Sequence, residues 1–399
     1  MGRERISSDN FLRSLLLIVL ATAIFVNSGY YRATETGSYL PLFFLVAVVV
    51  FCFLPRAREI STAKADWLLI ALLVGMGISI LVNFNTANLL SGGRVAVTML
   101  CSYMLSRYLK LEVFVKIFTR SVKVIIVSTV LVQLLLMTGL RALPMLGDYY
   151  DLFIVTGRGE NARVFGIFWE PGVFASMIVI SMLLEYFISG KKTTFVGFVL
   201  YVTGMLMTKS TAGMVIFILI ILGLLWKRAN IKKNYAYTAL FILFAFIIVV
   251  FLQPIMELLV EVNPELFGKL LETESSTTST RLNGPLVNLK VFWEKPMFGW
   301  GFTDSSTEIL KLMPSTGEDK VVAQTSTSTQ LMAAIGVLGI AYSLGFILPL
   351  FSKKKLSHLS FESKFIVAVC MLLVVNKEPH LFIAASWIML FYINSSTAE

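Results

Sequence analysis

Glu170 and Pro171 stand inside an apolar segment, RVFGIFWEPGVFASM (163–177), that opens on Arg163. A charge within a membrane span costs about 2.5–3.5 kcal/mol on insertion scales, so a carboxylate there points to a pathway or a site. With the whole segment helical, Arg163 and Glu170 are close to two turns apart, share one face, and lie about 10 Å apart in depth. Pro171 then bends the helix and opens space beside the carboxylate, and Gly172 admits another backbone or a ligand. The competing reading is a snorkelling Arg163 and a structural ion pair for Glu170.

Other residues offer complementary chemistry. Lys209 is the charge of a short turn, TKSTAG (208–213), where it either holds a phosphate or completes a helix C-terminus. In STRLNGPLVNLKVFWEKPMFGWGF (279–302), Arg281 and Asn283 precede an amphipathic stretch suited to a membrane surface. A guanidinium presents a planar fork of donors that fits a phosphate or diphosphate, and Asn283 adds a polar group for a sugar. Arg94 in GGRVAV is a further diphosphate candidate, or a snorkelling anchor. The turn NKEPH adds Lys377, Glu378 and His380. Asp148 and Asp151 of GDYYD read as solvated loop acids, so no metal and no cofactor is assigned.

These groups need a scaffold, and the composition says which kind. The chain has 399 residues, 57% hydrophobic and 15% charged, where a soluble domain has about 25% charged. Apolar runs of spanning length fall near 12–27, 39–54, 67–83, 88–106, 122–140, 164–188, 193–208, 211–226, 236–252 and 329–351, with two shorter ones near 363–376 and 380–394. The expectation is one all-α polytopic membrane domain over 1–399, with about twelve transmembrane helices. The last two runs form either crossings or a re-entrant hairpin around NKEPH. With a cytoplasmic N-terminus, most of the 34 Lys and Arg fall on the cytoplasmic side, which also makes the C-terminus cytoplasmic. The net charge of +10 therefore orients the chain toward anionic lipid and does not argue for nucleic acid. The two long outer segments are 141–163 and 253–328, the latter carrying short amphipathic helices. Three cysteines within apolar runs give no disulfide framework, and the two histidines fall on opposite sides of the membrane.

The order of motifs resembles a family. FWEPGVFA lies in a span, KSTAG in a short turn, Arg281 through WEKPMFGWGF in a long outer loop, and TSTSTQLMAAIGVLGI opens a helix at a polar cap. Over roughly 160–345 this is similar to the O-antigen polymerase and O-antigen ligase superfamily of bacterial inner-membrane glycan enzymes. The resemblance implies metal-independent glycosyl transfer on the periplasmic side from a polyprenyl-diphosphate-linked oligosaccharide. It also implies a chain-length regulator and a flippase as working partners. The ligase branch has a His near the start of the helix that leads to the GVLG-like turn. This sequence has Thr325 or Gln324 there, which favours a polymerase that joins lipid-linked repeat units. On that reading Arg281 and Arg163 hold the diphosphate, aided by Lys209 or Arg94, and Glu170 is the base or orients the acceptor. The alternatives are a ligase that transfers polymer to lipid A core and a lipid-linked sugar transporter. Against transport stand the absence of an internal repeat and the one-sided long loop.

Overall fold

The computed structural model describes residues 2–27, 40–53, 66–137, 155–156, 164–190, 194–229, 276–312, 326–352, 356 and 359–395. The apolar run near 236–252, most of 141–163, and 253–275 and 313–325 lie outside the described residues. Among the described residues, eight helices lie before residue 230: α1 (Gly2–Val26), α2 (Leu40–Phe53), α3 (Asp66–Val82), α4 (Thr86–Tyr108), α5 (Leu111–Met137), α6 (Pro171–Met182), α7 (Phe195–Thr208) and α8 (Thr211–Ala229). Six lie from residue 276 onward: α9 (Ser276–Glu294), α10 (Phe302–Leu312), α11 (Thr327–Ile335), α12 (Ile340–Ile347), α13 (Phe361–Lys377) and α14 (Ala384–Asn394). A two-stranded antiparallel sheet, β1 (Val155–Thr156) with β2 (Val164–Gly166), is the one sheet among the described residues. Three stretches there are long and apolar enough to cross a membrane: Thr86–Tyr108, Pro171–Ile188 and Thr327–Leu350. Shorter apolar helices surround them.

α6 lies at the centre. Every one of its residues from Pro171 to Met182 is buried, and a helix apolar all round is stable only when enclosed by others. α5, α7, α8 and α13 enclose it. α6 continues as a π-turn, Leu183–Ile188. Lysines from two neighbouring helices meet this turn. Lys123 donates to Glu185 Oε1 (2.8 Å), whose Oε2 accepts from the Tyr201 hydroxyl (2.6 Å), while Lys227 donates to the Tyr186 carbonyl (3.0 Å). Cys52, Cys101 and Cys370 are buried free thiols.

The expected helix over 164–188 requires a correction. Residues 164–166 form β2, a turn follows, and the helix begins only at Pro171. Pro171 therefore kinks nothing. It occupies the first turn, where its missing N–H costs no hydrogen bond and its fixed φ suits helix entry. Arg163 lies outside the described residues, and the extended backbone after it removes the shared helical face expected for Arg163 and Glu170.

The α3–α4 turn and the start of α10 are locked together by side-chain capping and amide–carboxylate hydrogen bonds. Asn85 caps α4 by accepting from Asn88 N (2.7 Å). Asn88 Oδ1 accepts from Thr303 N (2.8 Å) and Asp304 N (3.2 Å) at the start of α10, and Asp304 Oδ2 accepts from Asn85 Nδ2 (3.0 Å) and Asn88 Nδ2 (2.8 Å). Asn88 of α4 thus satisfies the first-turn N–H groups of α10, and Asp304 in return fixes the side-chain amides of Asn85 and Asn88. The turn between α9 and α10 docks on the break after α11. Trp300 N donates to Ala333 O (2.9 Å), Gly301 N to Ala334 O (3.0 Å), and Val337 N to Pro296 O (2.8 Å). The sequences MFGWGF and AIGVLG are two halves of one joint.

Candidate functional site

Glu170 is the N-cap residue of α6, with extended backbone (φ −151°, ψ 144°), and its carbonyl accepts from Val173 N (3.1 Å) and Phe174 N (3.3 Å). Its side chain makes no capping bond and is partly exposed. Two residues on, Gly172 explains why the motif needs glycine. A Cβ there would stand 1.8 Å from Glu378 Oε1 and 2.4 Å from its Cδ. The Glu378 carboxyl, 1% exposed, packs directly on the backbone of α6. Lys377 Nζ donates to the Gly172 carbonyl (3.2 Å), and so does Ser176 Oγ (2.9 Å). EPG and KEPH, more than two hundred residues apart in the chain, meet at one point.

α11 supplies the third wall. Ser326 caps it and donates to Asn376 Oδ1 (2.7 Å). Thr327 Oγ1 accepts from His380 N (2.6 Å) and donates to the Glu378 carbonyl (3.4 Å), so one hydroxyl fixes the 378–380 turn. α9 is the fourth wall: Asn288 Nδ2 donates to Thr329 Oγ1 (2.9 Å). Ser328 Oγ and Gln330 Oε1, at the start of α11, are buried with no hydrogen-bond partner among the described residues. Buried polar atoms in that condition cost free energy unless a ligand or water meets them.

His380 is buried, with both ring nitrogens engaged. Ser176 spends its hydroxyl proton on Gly172 O, so His380 Nε2 donates to Ser176 Oγ (3.3 Å) and Nδ1 accepts from the Ser386 hydroxyl. His380 sits in the turn between α13 and α14, outside both helices. Burial first, and then the nearby Lys377, push its pKa down from 6.5 to about 3. The ring is therefore neutral at pH 7 and positions the turn. The folded state binds this proton less well than the unfolded state. Its contribution to stability is complete above 6.5 and declines as pH falls from 6.5 toward 3, by an amount on the order of a few kcal/mol. Thermal unfolding of the detergent-solubilised protein should show that decline, and His380→Asn should flatten this part of the curve.

The other candidates divide. Lys209 takes the left-handed C-cap position of α7 (φ 46°), its N–H donating to Leu206 O. Its turn adjoins the site, because a Cβ on Gly213 would stand 2.7 Å from Ala175 Cβ on α6. Arg94 is exposed on α4. Arg281 and Asn283 belong to α9, and their side chains lie outside the described residues. Arg281 comes two turns before Asn288, the register at which α9 meets α11. Sequence reasoning missed Ser176, Asn288, Ser326, Thr327 and Asn376 as members of the cluster. The TSTST run was their visible signal, but it reads equally well as a helix cap. A shallow cavity of about 220 Å³ lined by Lys123, Val124, Val127 and Ser128 lies toward the opposite end of α6 and does not belong to the site.

The turn after α9 docks beside a capped helix start, with a carboxylate and a lysine close by, and this arrangement can be compared with known proteins. Residues 196–344 match the O-antigen ligase family. The match supports the O-antigen ligase and polymerase superfamily, whose members are membrane-associated, glycosyltransferase-like enzymes acting on lipid-linked oligosaccharides in polysaccharide assembly. The O-antigen ligase segment runs from α7 through most of α12. It includes KSTAG, α9, the MFGWGF joint and the start of α11. EPG and KEPH lie outside it and pack against it. No curated protein matches the chain.

Proposed function

We propose that the chain is a polysaccharide polymerase that joins polyprenyl-diphosphate-linked oligosaccharide units on the periplasmic face of the bacterial inner membrane. The observation that carries this reading is the meeting of Glu170–Gly172, Lys377–Glu378 and Ser326–Thr327 at one point beside the start of α11. The acceptor sugar hydroxyl attacks the anomeric carbon of the donor. A carbon–oxygen bond forms, and the bond from that carbon to the diphosphate oxygen breaks. The electron pair leaves with the diphosphate, and the hydroxyl proton passes to the Glu170 carboxylate. Glu378, held on Gly172, orients the acceptor. Cations beside the leaving diphosphate lower the barrier by stabilising its growing charge. Arg281 and Arg163 are assigned that role, with Lys209 on the adjoining turn. The donor carries its own activation, so the reaction needs no metal or cofactor.

Complementation tests this. A strain lacking the gene receives Glu170→Gln or Arg281→Ala, with membrane abundance measured in parallel. Each variant should leave single repeat units where the parent makes a ladder, a loss of about 10²–10⁴-fold for the removed base. Unchanged ladders from both would remove the assignment, and units stranded on the cytoplasmic face would indicate transport.

One observation favours a second reading, a ligase. His380 reaches the start of α11 from another element, near the place where the resemblance puts the ligase histidine. In that case deletion leaves finished polymer on its lipid carrier and none on lipid A core.

A further inference from the structure

The apolar residues of α9 face two ways. Val287 and Val291 turn inward and form a small core with Ile309 of α10 and Ala333 of α11, with Trp300 against it. Leu286 and Trp293 turn outward, 58% and 71% exposed, and Met297 and Phe298 of the following turn extend the same surface. Leu286 and Trp293 lie two turns apart on one face of α9, with exposed Lys290 between them on that face and Glu294 exposed along the flank.

This stripe does not end in water-facing polar surface. The joint ties it to the α3–α4 turn: Asn83 Nδ2 donates to Gly299 O (3.0 Å), and Lys295 Nζ donates to Asn83 Oδ1 (3.3 Å) while lying 3.7 Å over the Trp300 ring. Around that turn Leu81, Val82, Phe84, Leu89 and Leu90 are all exposed. They belong to the outer ends of α3 and of α4, a helix long and apolar enough to cross the membrane. Their exposed surface is the one such helices turn to lipid. The stripe of α9 continues it at the level where tryptophan and lysine gather in membrane proteins.

We propose that Leu286, Trp293, Met297 and Phe298 insert into the outer leaflet, making the second half of α9 an arm that rests on the lipid surface. The occupant of this patch is the bilayer. Lys290 and Glu294 remain at the headgroup level, and Asn288 on the opposite side keeps the start of α11 at that same depth. A substrate whose diphosphate travels in the headgroup plane then reaches the site without leaving the membrane.

Site-directed spin labelling tests the arm. Cys52, Cys101 and Cys370 are replaced by Ala in the full chain, and labels are placed singly by Trp293→Cys, Met297→Cys and Glu294→Cys. The protein is reconstituted in nanodiscs of phosphatidylethanolamine and phosphatidylglycerol. Labels at 293 and 297 should be accessible to oxygen and shielded from an aqueous nickel chelate, with the ratio reversed at 294. Nickel access at 293 and 297 equal to that at 294 would place the stripe in water and overturn the proposal. Shielding from both reagents would overturn it in favour of a protein partner or a second copy. The readout involves no glycan synthesis, so this inference and the assigned reaction fail independently.

Discussion

Gly172→Ala should abolish polymer synthesis while the protein still accumulates in the membrane, and Glu378→Asp introduced alongside should restore part of the activity. The added methyl would stand 1.8 Å from Glu378 Oε1, a distance no two such atoms tolerate. What yields is the far end of a side chain, not backbone, so the helix forms. Alanine at the second position of a helix is a good helix former, and the cost to stability stays within the usual overpacking range of about 1–3 kcal/mol. The carboxyl, however, must move by an ångström or more, and misplacement of about 1 Å in a catalytic constellation can cost about 10²-fold in rate. Aspartate is shorter by one methylene and withdraws the carboxyl from the new methyl. The measurement is the surface-glycan ladder at matched membrane abundance. A normal ladder from Gly172→Ala alone would show that the position of the Glu378 carboxyl is immaterial to the reaction.

Gly336→Ala and Gly299→Ala should fail differently, by loss of folded protein. Gly336 has φ +70° and ψ −150°, a region essentially reserved for glycine, and a Cβ would lie 2.4 Å from the Met297 carbonyl oxygen. Gly299, at φ +69°, would place its Cβ 2.4 Å from the Ala334 carbonyl. In both cases the obstacle is backbone across the joint, which cannot swing aside. Strain of about 1–3 kcal/mol adds to a clash of similar size, against a total stability of about 5–15 kcal/mol. The measurement is membrane abundance and the unfolding temperature of what can be solubilised. Gly77→Ala and Gly93→Ala are the controls, because a Cβ there meets nothing within 4 Å. Both should accumulate as the parent does. If Gly336→Ala also accumulates normally, the pairing of MFGWGF with the helix break does not hold the outer segment in place.

Much of this was legible in the residues. Long apolar runs marked the helices because lipid imposes length and hydrophobicity on any span, a constraint that acts locally. The order EPG, KSTAG, Arg281 through WEKPMFGWGF, and GVLGI pointed to the superfamily that the match over 196–344 supports. The residues at Glu170 were read in the wrong local setting. Apart from Glu170, apolar character continues from Val164 into α6, and hydropathy does not distinguish a buried strand and turn from a helix. Proline was the available clue, being as suited to the first turn of a helix as it is disruptive later.

The sequence by itself determined that this chain is all-α, with apolar helices of the membrane-protein kind, because composition and periodicity act within each segment. Only the tertiary structure decided which groups share a point. Glu378 was a minor candidate and Thr327 was none, yet packing sets both against the first turn of α6. A contact between residues 172 and 378 depends on how α6, α11 and α13 cross, and nothing in the immediate neighbourhood of either residue in the chain encodes that crossing.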